Sequence, residues 1–330
     1  MAVAGTNGVR EPAASRAVFD AAATLRVNRL AAETVRAFES AGVPSILLKG
    51  ASFARLLYPD GGRCYGDVDL LVRAPDVAAA TDALRRGGFL PDDEQAPVID
   101  RDRDARTFGR RNADGLKDSV DLHWNLHNVR VDPAHTWSAL AARTTSLPLG
   151  SSSVRVLDTV GCAMHVALHA AHHGLHGPEP HNHGSRTGAD LRRALRMVAL
   201  ADWVRAAELA AELGIEDAFA LGLRLDPEGV GLAEQLHLTT AVPEAWRFTG
   251  KHATRGALRI NRMRVAASWP ERAALMWSVL CPSRVRIRRD ARSRLARRVF
   301  AAAYVEYWLR IAAAFPAAIH DGLSRVKSHG

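Results

Sequence analysis

Gly66-Asp67-Val68-Asp69-Leu70-Leu71-Val72 is the stretch on which the fold of this chain turns. Its leucines and β-branched valines read as a strand over Asp67–Arg73, and the two-residue period puts Asp67 and Asp69 on one face with Val68 and Leu70 on the opposite, buried face. Two carboxylates this close repel each other unless a cation sits between them, so the pattern asks for a hard divalent ion with oxygen ligands, Mg²⁺ being the natural choice. Upstream, the apolar run Val43–Leu48 reads as a buried strand leading through Lys49-Gly50-Ala51-Ser52 into a helix that ends at Tyr58. Pro59-Asp60-Gly61-Gly62 is a turn. Before that, Ala14–Ala41 carries Val18, Ala22, Leu25, Leu30, Val35 and Phe38 at helical spacing and stops at Gly42, which suits a left-handed cap.

Downstream, a helix over Asp76–Arg86 ends at Gly87-Gly88, and weaker strands are expected over Phe89–Asp100 and Arg106–Arg111. Asn112-Ala113-Asp114-Gly115 then turns the chain into a strand over Lys117–Trp124. Alternation there puts Ser119, Asp121 and His123 on one face and Val120 and Leu122 on the other. Carboxylates from two adjacent strands, facing a glycine turn at a helix start, form the layout that two-metal phosphoryl or nucleotidyl transfer needs.

From Asp158 onward strand signals fade, and helices are expected over Thr159–His173, Ala189–Gly214, Ile215–Leu223 and Gly229–Leu238, with more after Pro270. Gly174–Gly188, rich in Gly, Pro and His, reads as a loop. Pro148, Gly150 and a serine run place a boundary near Ser146–Ser153, which divides the chain into a catalytic domain over 14–147 and a helical domain over 154–328. The expected class is α+β, a small mixed sheet behind an N-terminal helix, followed by a mainly α-helical C-terminal domain.

The motifs Leu47-Leu48-Lys49-Gly50, Leu57-Tyr58-Pro59, Arg63, Gly66–Val72 and Val120-Asp121-Leu122-His123-Trp124 together resemble the uncharacterised nucleotidyltransferase family of the DNA polymerase β superfamily. A weaker likeness runs through the His-Ala-Ala-His-His stretch at His169 and through Asp190-Leu191. The resemblance implies a Mg²⁺-dependent enzyme that transfers a nucleoside monophosphate from an NTP to an acceptor and releases pyrophosphate. In that reading Asp67 and Asp69 bind both metal ions and the triphosphate, while Asp121 ligates the catalytic ion and orients or deprotonates the acceptor hydroxyl. Gly50 and Ser52 would cradle phosphate oxygens, and Lys49 or Arg63 would neutralise the β- and γ-phosphates, each having ion pairing as its alternative role. Gly50 departs from the superfamily pattern: it lies farther upstream of Asp67 than the usual Gly-Ser turn, and the pair here reads Gly-Ala. The acceptor, whether small molecule, peptide or RNA, is left open.

His123 shares the Asp121 face and either touches nucleotide or acceptor or bonds a neighbouring strand. Seven of the 14 histidines fall between His165 and His183, and His165, His169, His172 and His173 share one helical face. Such spacing suits Zn²⁺. No HExxH glutamate accompanies it, however, so the histidines are read as facing the cleft or packing with Asp190, with His169 and His173 as the candidate contacts to nucleotide.

The whole composition agrees with a globular protein. The chain has 330 residues, 48% hydrophobic and 24% charged, which excludes a disordered tail or a collagen-like protein. Its net charge is +9, and only Lys49, Lys117, Lys251 and Lys327 among the 44 basic residues are lysines. Eight arginines crowd Arg284–Arg298 around the single acid Asp290. A basic helix there suits RNA or an acidic partner surface, or is simply a solvated face. This arginine surface supports the rival reading, a non-catalytic module of the same fold that binds RNA or a protein. Phe300, Tyr304, Tyr307, Trp308 and Ile311 form an aromatic stripe suited to a core or a homodimer contact. Cys64, Cys162 and Cys281 form no CxxC pair, and neither an export signal nor a membrane span is read, so a cytoplasmic location is expected.

Overall fold

The structure, a computed structural model, describes residues 13–92, 105–112, 115–126, 129, 131–176, 186–239, 269, 272–273, 276–277, 287, 293, 295 and 298–327. Helix α1 (Ala13–Ser40) is followed by strand β1 (Ser45–Leu47), the short helix α2 (Ala51–Leu57), β2 (Val68–Val72), α3 (Val77–Arg86), β3 (Leu90–Pro91), β4 (Ala105–Arg111) and β5 (Lys117–His123). The chain continues through α4 (Pro133–Ala141), the hairpin β6 (Thr144–Leu149) and β7 (Ser152–Leu157), then α5 (Thr159–His176), α6 (Arg186–Met197), α7 (Leu200–Glu212), α8 (Glu216–Leu223), α9 (Pro227–Gln235) and α10 (Phe300–Lys327). The α+β class is as the sequence indicates, a mixed sheet followed by a helical region.

Gly42 ends α1 with φ 70°, where its freedom from a Cβ lets the Val43 amide turn back to the Phe38 carbonyl at 2.9 Å. Helices α4 and α9 start alike: Asp132 and Asp226 accept backbone amides two residues on, and Pro133 and Pro227 fill the first helical position.

Seven strands form one sheet in the order β3-β4-β5-β2-β1-β7-β6. At its centre β2 runs antiparallel to β1 and parallel to β5, with Asp69 opposite Asp121 and Leu71 opposite His123. One face of the sheet buries Val68, Leu70, Val72, Val120, Leu122, Val154 and Val156 against α1 and α3. The other buries Ile46, Leu48, Leu71 and Leu157 with α2 and the helices from α5 onward. Helix α5, apolar nearly all round, is the spine of that second core and packs against α6, α7 and α8. At its crossing with α8 the two backbones touch: a Cβ built on Gly222 would lie 1.9 Å from the Ala167 carbonyl oxygen, so only glycine fits.

The sheet is larger than the four or five strands expected. Pro148, Gly150 and the serines, where the sequence places a boundary, form a hairpin: β6 pairs antiparallel with β7, and β7 lies parallel to β1. Pro148 is tolerated because β6 is the sheet edge, where a missing N–H costs no ladder bond. The single helix expected over Ala189–Gly214 is two, because Ala199 takes an extended backbone between α6 and α7. Helix α4 had no counterpart in the reading. Much of the expected Phe89–Asp100 strand, the tip of the turn at 113–114, residues 177–185 of the expected loop and most of Arg284–Arg298 lie outside the described residues.

Candidate active site

A cavity of about 520 Å³ opens between β2–β5 and the middle and C-terminal part of α5 with the start of α6, lined among others by Lys49, Asp67, Asp69, Asp121, His169 and Arg186. Its floor is built by strand alternation. Asp69 and Asp121 occupy matched positions on neighbouring parallel strands, and Asp67 precedes β2 on the same face. Apolar neighbours at Val68, Leu70, Val120 and Leu122 fix this orientation, because a one-residue slip would drive the carboxylates into the core beneath α1 and α3.

Asp69 is nearly sealed, and its Oδ1 faces both Lys49 Nζ at 2.7 Å and His123 Nε2 at 3.2 Å. Burial alone would raise its carboxyl, but the Lys49 charge and the His123 hydrogen bond outweigh that and hold it well below the ordinary carboxylate range. Asp67 is exposed at the start of β2, and its carboxyl is raised by partial burial and then by repulsion from Asp69. Asp121 Oδ1 is buried and accepts no hydrogen bond from any described residue. Ligand atoms of Asp69, Asp121 and His123 all lie within 4.8 Å of one another. This donor set, with a buried acceptor left over, fits a divalent cation.

The roof is α5. His165 is buried and directs Nδ1–H to the Leu48 carbonyl at 3.3 Å, and burial followed by the Lys49 charge pushes its imidazole down to about 3. His169, lowered in the same direction and for the same first two reasons, packs edge to face on His173 with centroids 4.3 Å apart. Among the described residues no group of α5 histidines converges as metal ligands; the converging group is the one on the floor.

Of the residues singled out in the sequence, Asp67, Asp69, Asp121, Lys49, Gly50, Arg63, His123, His169 and His173 meet in this cavity. Ser52 does not: it is buried in α2 and absent from the lining. Arg63 reaches the lining with its guanidinium already bonded, Nε and Nη2 to the Asp190 carboxylate at 2.9 and 2.8 Å and Nη1 to the Gly50 carbonyl at 3.3 Å. Tyr58 donates its hydroxyl to the same Asp190 oxygen at 2.9 Å. That role of Asp190 was missed by the sequence reading, although the residue stood in the stretch noted there as similar to the family. Of the two roles open to His123, contact with nucleotide or acceptor and a bond to a neighbouring strand, the structure shows the second: its Nε2 lies 3.2 Å from Asp69 Oδ1 on the paired strand β2.

Residues 8–228, two thirds of the chain, match the family described as uncharacterised nucleotidyltransferase, and the chain belongs to that family. A solved structure similar to it is an antigenic nucleotidyltransferase-like protein from Paracoccidioides brasiliensis, 17% identical, with 61% of this chain covering 93% of that one at a TM-score of 0.35. No curated protein matches the chain.

Proposed function

We propose that this chain is a Mg²⁺-dependent nucleotidyltransferase that moves a nucleoside monophosphate from an NTP to a hydroxyl or similar acceptor on a small molecule, a peptide or RNA. The observation that carries the reading is the in-register pair Asp69 and Asp121 on parallel strands, with Asp67 two residues before Asp69 and the buried Oδ1 of Asp121 still open. Asp67, Asp69 and Asp121 would hold the metal ions. Bound Mg²⁺ supplies neutralisation of the triphosphate and of the charge on the departing oxygen.

The chain's own groups do the rest. Asp121 orients the acceptor hydroxyl and takes its proton as the oxygen forms its bond to the α-phosphorus, and the bond from that phosphorus to the bridging oxygen breaks to release pyrophosphate. Lys49, held in the cavity by Asp69, lies within the same wall as the glycine turn and faces the phosphates as a cation. His169 and His173 line the roof and would contact the nucleotide. The helical region after residue 154 supplies that roof.

The test is calorimetric binding of each NTP with and without Mg²⁺, on the native chain and on the Asp67→Asn/Asp69→Asn double variant, with pyrophosphate release followed in a cell extract. Metal-dependent binding that the double variant loses is the expected result. A folded chain that binds no NTP at any Mg²⁺ concentration sinks the reading.

A further inference from the structure

The carboxylate floor contains a nitrogen. On β5 the two-residue period that aims Asp121 at the cavity aims His123 there too, and His123 is buried, so its ring is not a mobile surface group. Its Nε2 lies 3.2 Å from Asp69 Oδ1, and the ligand atoms of His123, Asp69 and Asp121 share a sphere no wider than 4.8 Å between any two of them. An imidazole there has two possible uses. It steadies the Asp69 carboxylate by donating a hydrogen bond, or it presents its lone pair to an ion held by both aspartates.

We propose that His123 Nε2 is itself a ligand of the ion, beside Asp69 and Asp121, and that this mixed oxygen and nitrogen site binds Mn²⁺ in preference to Mg²⁺. The inference rests on the metal-dependent reading above and changes the ion that Asp69 and Asp121 share from Mg²⁺ to Mn²⁺. Two observations favour it over mere steadying. Asp69 Oδ1 already receives Lys49 at 2.7 Å, whereas the neighbouring Asp121 Oδ1 is buried with no hydrogen-bond partner among the described residues. An ion seated between Asp69, Asp121 and His123 satisfies that oxygen at once. Mg²⁺ demands a near-ideal octahedron of oxygens and gives up water reluctantly, while Mn²⁺, which shares its taste for carboxylates, is a first-row transition ion and tolerates a nitrogen among them.

The experiment adds Mn²⁺ alone to the full, metal-free chain and records pulsed electron paramagnetic resonance. Nitrogen coupling to the bound ion is expected, lost in His123→Gln and kept in His169→Gln, which controls for the imidazoles of the roof. His123→Gln should weaken Mn²⁺ binding by about tenfold, and His123→Asp should shift the Mn²⁺ to Mg²⁺ affinity ratio toward Mg²⁺ by a similar factor. Circular dichroism establishes that each variant is folded. Bound Mn²⁺ without nitrogen coupling, or coupling that survives in His123→Gln, overturns the proposal. Coupling that behaves as expected in a chain that binds no NTP would leave this ligand assignment standing and remove nucleotidyl transfer instead.

Discussion

Lys49 is the cation that the floor already owns. Its ammonium lies 2.7 Å from the nearly sealed Asp69 carboxylate. Removing one partner of such a pair leaves the other buried and uncompensated, so Lys49→Met should destabilise the metal-free fold by about 3 kcal/mol. A divalent ion occupies the same carboxylates, so Mg²⁺ or Mn²⁺ should stabilise the variant more than the native chain. Thermal unfolding in chelator and in excess metal measures both; equal metal-induced shifts in the two proteins would show that Lys49 and the ion do not share the site. At this scale the sequence was most informative where chemistry and period coincide. Asp67, Asp69 and Asp121 could be placed because alternation orients them and like charge demands a partner. For Arg63 the sequence offers phosphate or an ion pair without naming the partner, because a guanidinium carries no mark of the carboxylate it will meet and Asp190 lies far off in sequence.

That pair sets the relation between elements. Arg63 stands in the connector that delivers Asp67, grips the carbonyl of the Gly50 turn and is clamped by Asp190 of α6. Burial opposes its charge, but the Asp190 hydrogen bonds and charge hold its pKa above the ordinary arginine value; burial and then Asp190 push the Tyr58 phenol up to about 12. One guanidinium thus joins three segments that all contribute to the cavity. Asp190→Ala strands a buried Arg63 and should cost about 4 kcal/mol, whereas the Arg63→Met/Asp190→Leu double variant should regain a good part of that loss. Chemical denaturation of the two singles and the double gives the coupling directly, and simple additivity would mean the pair does not act as a unit. The crossing of α5 with α8 is equally strict: Gly222→Ala drives a methyl into the Ala167 carbonyl, for about 2 kcal/mol or more of lost stability in the same experiment. Neither feature shows in a helical period, which reports which face is buried and not against what.

For the molecule as a whole, two cores on either side of one sheet carry the fold, and the second holds titratable groups. His165 is buried with its imidazole pushed down to about 3 from an ordinary 6.5, so the unfolded chain binds a proton that the folded chain refuses. Stability therefore falls as pH drops below about 6.5, by about 1.4 kcal/mol per pH unit from this residue, and the loss runs on toward about pH 3. His165→Gln, which keeps a donor for the Leu48 carbonyl, should flatten that acid slope between about pH 6.5 and about pH 5 in urea titrations. An unchanged slope would place the proton uptake elsewhere. The α+β class, the strand–turn–helix from β1 to α2 and the β2–β5 floor were all legible, since each is a local pattern. Hairpin β6–β7 was not, because Pro148 and the serines look like a boundary until the sheet edge they occupy is known.

That hairpin also dictates an order of events at the ribosome. β1 emerges early, yet one of its two neighbours is β7, joined through Leu47 and Val156, and everything from α2 to β6 must be synthesised in between. Until then the middle of the nascent sheet has an open apolar edge, the kind of edge that recruits strands from other chains. Closing that edge is a long-range step, which topology makes slow, so production in cells should respond to slower translation and to chaperones that shield strand edges.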